Sequence, residues 1–295
     1  MIDSNNLIIK LKNNYFLTSL IIIIILIIFI ISLYYYMRTK VNRVVVFDLD
    51  ETIGCFQQLG IFCDAIQKFN KKKLSKNDFI KLLELYPEYF RPNLFKIMEF
   101  LKEKKINGHL QKVCLYTNNN GPKEWARRIC LYIDSKVKYK LFDNHIGAYM
   151  VNGEQIEMGR TTHEKTVNDF FRTTHFSKNT EICFIDDLYH EKMDTNNVYY
   201  IHVEPYTVAL PIHILTFRYY QNFSLNISYQ EFYKIISLYM SEFNVSNLNK
   251  HNNIDHKYNG EQILVHLQNF LQPQPNFKSS KKYKSANKNN TTLKR

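Results

Sequence analysis

Four short apolar runs constrain this chain more than any other feature. Val44 to Phe47 in "RVVVFDLDETIGCF", "KVCLYT" (112–117), "EICFID" (181–186) and "VYYIHV" (198–203) are apolar at successive positions. Side chains alternate faces along a strand, so such runs suit strands covered on both faces, as in a central parallel sheet. Between and around them lie helical patterns: "NDFIKLLELY", "PNLFKIMEFLKEKK", "PKEWARRICLYI" and "HEKTVNDFFR". Strands alternating with helices predict an α/β fold: an open, mostly parallel sheet flanked by helices. "AYMVNGEQIEM" adds a hairpin signal at Asn152-Gly153. Beyond about residue 215 the pattern is mainly helical, with "YQEFYKIISLYMSEF" its clearest amphipathic segment.

Ligands of open α/β sheets bind beyond the carboxyl ends of the strands, so the residues closing each run carry the functional expectation. The first run ends in Asp48-Leu49-Asp50-Glu51-Thr52, the second in Thr117-Asn118-Asn119-Asn120-Gly121, the third in Asp186-Asp187. Any one of these is an ordinary capped loop, because Asp and Asn favour turns. Together they bring four carboxylates to one edge, where they repel one another unless a cation sits between them. Hard oxygen donors with open positions suit Mg²⁺.

At this point the motifs become recognisable. "FDLDET", "CLYTN" and "CFIDD" resemble the first, second and fourth motifs of the haloacid-dehalogenase-like phosphatases, the Rossmannoid aspartate-nucleophile enzymes. With "FRPNLFKIMEFL", the form Asp-Leu-Asp-Glu-Thr is similar to the NLI-interacting-factor branch. That branch holds phosphatases of the RNA polymerase II C-terminal domain and Dullard-type membrane phosphatases. "YTNNNGPKEW" and "NTEICFIDDLYH" look most like the versions in large DNA viruses. The resemblance covers roughly Arg43 to Leu210 and implies a role for each matched residue. Asp48 is the nucleophile, forming an aspartyl-phosphate. Asp50 protonates the leaving alcohol and then activates water, with Thr52 orienting it at the substrate. Thr117 binds phosphoryl oxygens, helped by donors following it at Asn118. Asp48, the Asp50 carbonyl, Asp186 and Asp187 hold Mg²⁺. The phosphate-neutralising lysine is Lys165, with Lys178 as rival. Arg160 reads either as a second phosphate contact or as a surface charge. His163 and His190 have no companion at metal-ligand spacing and read as incidental.

Residues 16–36, "FLTSLIIIIILIIFIISLYYY", carry no charge over a length sufficient for a single-pass membrane anchor of about 20 residues. The expected organisation is an N-terminal segment (1–15), the anchor (16–36) and a linker (37–42). A catalytic domain (43–215) follows, with a small helical insertion at 54–89 narrowing the site mouth. A helical extension (216–271) and a disordered basic tail (272–295) complete the chain. Three cations following the span (Arg38, Lys40, Arg43) against two preceding it (Lys10, Lys12) place the domain in the cytosol. Five cysteines without a Cys-x-x-Cys pair agree with a reducing compartment. If the chain is viral, the membrane belongs to the host cell. The six-residue linker reaches about 20 Å at most, so the substrate is expected near the bilayer.

The net charge of +12 attracts polyanions without choosing among them. A phosphorylated protein is the expected substrate, and nucleic acid is not indicated. The tail, with six Lys, one Arg and no acid, reads either as an anionic-lipid contact or as a solvated end. Two alternatives to the protein phosphatase stay open. One is a phosphatase for small-molecule, lipid or polynucleotide-end phosphates. The other is a membrane-tethered binding domain of the same fold without catalysis, similar in architecture to a mitochondrial import-receptor subunit.

Overall fold

The computed structural model describes residues 18, 20–32, 42–122, 124–243 and 255–272. Two compact units are distinguished, Met1–Asn42 and Arg43–Arg295. In the first, residues 20–32 are helical and exposed. Among the described residues no helix is long and apolar enough to cross a membrane. The remainder of the expected anchor at 16–36, the linker from 37 to 41 and the tail from 273 onward lie outside the described residues.

The second unit is built on five parallel strands. β1 (Arg43–Phe47), β2 (Lys112–Tyr116), β3 (Phe142–Ile146), β6 (Glu181–Asp186) and β7 (Val198–His202) lie in the order β3-β2-β1-β6-β7. β4 (Met150–Val151) and β5 (Glu154–Gln155) form a separate antiparallel hairpin. Asn152 and Gly153 both have positive φ in its turn, as a two-residue hairpin of this kind requires. All four apolar runs are strands. β3, "FDNHI", is not expected from the sequence, because an edge strand with three successive polar residues, Asp143 to His145, shows no apolar run.

The chain passes from β1 outward through β2 to β3, then returns to place β6 and β7 on the other side of β1. Strand order reverses at β1, and the crevice beyond its carboxyl end is the topological switch point. Both faces of β1 are buried. Val45 and Phe47 enter one core with residues of α1 (Gln57–Phe69), α2 (Lys76–Leu85), α3 (Leu94–Ile106), α4 (Glu124–Val137), α6 (Ile212–Asn222), α7 (Tyr229–Ser241) and α8 (His256–Leu271). Val44 and Val46 enter a smaller core closed by α5 (Val167–Thr174).

Two expected boundaries need correction. The segment 54–89 is helical, as predicted, but it is not a small insertion beside the domain. Leu59, Phe62, Ile66, Phe79 and Leu82 lie in the main core, where Phe62 meets Tyr219 of α6 edge-on and Phe69 meets Phe232 of α7. The boundary at residue 215 falls inside α6, and the helices after it share that same core. The physical reason is coverage. The helices of 54–89 bury apolar faces that need α6 and α7 as partners.

Candidate active site

β1 ends under Asp48, and the next six residues fold back on themselves. Ile53 N–H donates to the Leu49 carbonyl (2.9 Å) and Glu51 N–H to that of Gly54 (2.7 Å). Glu51 takes a positive φ of 60° to make the turn. The loop is so close to Tyr89 that a Cβ on Gly54 would lie 2.4 Å from the Tyr89 carbonyl oxygen. Arg91 locks this turn from below. Its buried guanidinium donates to the carbonyls of Thr52 (2.6 Å), Glu51 (2.5 Å) and Glu204 (2.8 Å). Burial pulls its pKa down to about 10, which leaves it charged at neutral pH.

Asp48, Asp186 and Asp187 then meet across the ends of β1 and β6, each offering an oxygen within 4.8 Å of the others. Lys165 enters from the residue before the α5 N-cap, Thr166. Its buried ammonium bonds Asp48 Oδ1 and lies 2.7 Å from Asp186 Oδ2. Lys178 is exposed in the turn before β6 and takes no part. Two of the three carboxylates thus bond one ammonium and Asp187 lies beside them, a formal charge of −2 in a buried place.

The protonation equilibria express that imbalance. Burial pushes Asp48 up to about 8, opposed by Lys165 and reinforced by Asp186 and Asp187. Burial also raises Asp187, against the hydrogen bond from Thr52. For Asp186 burial acts upward, yet Lys165 and His190 outweigh it and its pKa is lowered. Burial works against the charge on Lys165, but Asp48 and Asp186 more than offset it and hold the ammonium above its usual range. An all-oxygen donor set with an excess charge of −2 fits one divalent cation. Opposite oxygens around Mg²⁺ lie about 4.2 Å apart, twice its usual bond length.

Asp50 is not part of this cluster. Its carboxylate turns toward β2 and accepts a 2.6 Å hydrogen bond from Asn119 Nδ2. Burial raises its pKa, and the Asn119 bond and Lys165 offset only part of the rise. Asn119 is held in turn: its Oδ1 accepts from Gly121 N–H and its own N–H donates to Thr117 Oγ1. Thr117 is buried beside it, and Asn118 is half-buried in the same turn.

Two expected roles are displaced. Thr52, assigned to orient Asp50, holds Asp187 instead: its hydroxyl donates to Asp187 Oδ1 (2.9 Å) and accepts from the Asp187 N–H (3.0 Å). Arg160, expected as a second phosphate contact or a surface charge, is not a surface charge. It is buried over the Tyr116 ring, and its guanidinium donates to the carbonyls of Thr117, Gly147, His163 and Glu164. Its two terminal nitrogens thereby tie three loops together, while Nε is buried without a hydrogen bond.

Three residues carry weight that the sequence did not assign them. Asn119 was one of three consecutive asparagines, and only the turn shows which faces Asp50. Arg91 sat in the quoted "FRPNLF" without a role, because its partners are carbonyls that leave no sequence trace. His190, read as incidental, is nearly buried with Nε2 3.5 Å from Asp186 Oδ2. His163 packs edge-on to Tyr149. Compared with known proteins, the chain matches no family model and no curated protein.

Proposed function

We propose that this chain is a Mg²⁺-dependent phosphatase of the haloacid-dehalogenase-like, NLI-interacting-factor type. It hydrolyses phosphoserine or phosphothreonine in a protein through an aspartyl-phosphate. The observation that carries the reading is the division of labour between two carboxylates two residues apart. Asp48 bonds the Lys165 ammonium inside the carboxylate cluster, while Asp50 faces away from that cluster and accepts from Asn119. A nucleophile and a proton donor need those opposite environments.

Asp48, Asp186 and Asp187 would hold Mg²⁺, which lowers the charge barrier between a carboxylate and a phosphate dianion. Lys165 holds Asp48 in place and presents positive charge beside it. The Asp48 oxygen attacks phosphorus and the alkoxide departs, taking the Asp50 proton. Asp50, now ionised, removes a proton from the water that attacks the acyl phosphate and frees Asp48. Thr117 accepts from Asn119 N–H, so its own hydroxyl proton is free to meet a phosphoryl oxygen. Thr52 keeps Asp187 aimed at the cation.

The uncharged segment 16–36 supports a single-pass anchor with the catalytic unit on the cytosolic side. The basic tail supports contact with anionic lipid. The test is hydrolysis of p-nitrophenyl phosphate by the full chain in detergent. Turnover that needs Mg²⁺ and disappears in Asp48→Asn is expected. An inert chain would leave the binding-domain alternative in its place, and turnover indifferent to Asp48→Asn would overturn the aspartyl-phosphate route.

A further inference from the structure

A cavity of about 1140 Å³ opens from Asp50 and Asn119 and runs away from the carboxylate cluster. One wall is a single face of α1: Gln57, Gly60, Ile61, Asp64, Gln67 and Lys68 line it at helical spacing. Eleven helical steps separate the first from the last, so this wall is about 16 Å long. Trp125, Phe79 and Leu74 form the facing apolar wall. The groove passes Gly60, where an added Cβ would sit 3.8 Å from the Trp125 ring. A glycine inside a helix costs about 0.5–1 kcal/mol relative to alanine, and here it leaves the channel open.

The far end is cationic. Lys71, Lys72 and Lys73 are exposed there, and among the described residues none of the three makes an ion pair or side-chain hydrogen bond. Their backbone is fixed. Lys71 has a positive φ of 51°, Lys71 N–H donates to Lys68 O, Lys72 N–H donates to Gln67 O, and the Gln67 side chain accepts from Leu74 N–H. This is a helix-ending turn of the kind glycine usually makes, so the three ammonium groups are presented on a rigid base.

We infer that the groove selects phosphopeptides carrying acidic side chains, or a second phosphate, about five residues from the scissile phosphoserine or phosphothreonine. The inference rests on the phosphatase reading and specifies its substrate. The spacing follows from length, because an extended chain covers 16 Å in about five residues. The apolar walls accept the intervening side chains, and Lys71–Lys73 receive the remote negative charge. A lipid monophosphate fits less well, since its hydrocarbon would end among the lysines.

Two phosphoserine peptides test it, alike except for Asp-Asp or Asn-Asn five positions away, made in both chain directions. They are assayed on the full chain in detergent, with p-nitrophenyl phosphate as reference. The acidic peptide should show at least tenfold higher kcat/KM in one direction, and the advantage should shrink with salt. The triple substitution Lys71→Gln, Lys72→Gln, Lys73→Gln should abolish the preference. Gly60→Phe should lower kcat/KM for both peptides without changing p-nitrophenyl phosphate turnover. Equal turnover of the two peptides, or faster turnover of phosphatidic acid vesicles than of either, would overturn the inference and leave the phosphatase standing. No turnover of p-nitrophenyl phosphate would remove both.

Discussion

At the scale of single residues, the site is governed by how three buried carboxylates are compensated. Asp48 has its folded pKa raised to about 8 from 3.8. A group raised in this way stabilises the fold below about pH 4, and that contribution is lost as pH climbs toward 8. Mg²⁺ binds the ionised form, so its stabilising effect runs the other way. Thermal unfolding of the full chain should therefore show a Mg²⁺-induced rise in Tm that grows between pH 5.5 and 8. A rise that shrinks over that range would contradict the assignment. Thr52→Val removes both bonds to Asp187 and should weaken Mg²⁺ binding by about 10- to 100-fold in calorimetric titration. Asp50→Asn should slow p-nitrophenyl phosphate turnover by about 10² to 10⁴. Because burial raises the Asp50 pKa, the proton donor survives to higher pH than an ordinary carboxyl would. Wild-type turnover should fall on the alkaline side, and the mutant's residual rate should lose that limb. At this scale the sequence was legible where motif and strand end coincide, as at Asp48, Asp50, Asp186 and Asp187, while Lys165, ahead of α5, followed from the resemblance alone. It was silent on Asn119 and Arg91, and misleading for Thr52 and Arg160. Their partners are set by turns and carbonyls rather than by residue type.

Among the elements, β1, β2 and β6 announced themselves because burial on both faces demands unbroken apolar runs, whereas β7, an edge strand with only Ile201 buried, showed through its aromatic and β-branched residues. β3 and the start of α6 did not, since an edge strand and a half-covered helix need apolar residues at only some positions. The consequence is practical. Phe232 of α7 is fully buried, stacks on Tyr219 of α6 and meets Phe69 of α1 edge-on. Phe232→Ala should cost about 3–5 kcal/mol in urea unfolding, in one transition rather than two. A separate early transition would show that α6 and α7 form their own unit. A chain truncated after Leu215 should fail to fold cooperatively, because it uncovers Leu59, Phe62 and Ile66.

For the whole molecule, the unit Arg43–Arg295 carries the candidate site at the switch point with a groove leading away from it, and the sequence before it carries an uncharged segment. Deleting residues 1–42 should release the chain from membranes while preserving p-nitrophenyl phosphate turnover, as fractionation and assay would show. Retention on membranes would instead assign the attachment to the remainder of the chain. The central claim is that Asp48 becomes covalently phosphorylated. The direct measurement is to incubate the full chain with p-nitrophenyl phosphate and Mg²⁺, quench, reduce with borohydride, and read residue 48 by mass spectrometry. An acyl phosphate is reduced to the alcohol, so homoserine at position 48, dependent on both substrate and Mg²⁺, is the predicted result. Turnover with Asp48 unmodified throughout, or no turnover at all, would contradict it.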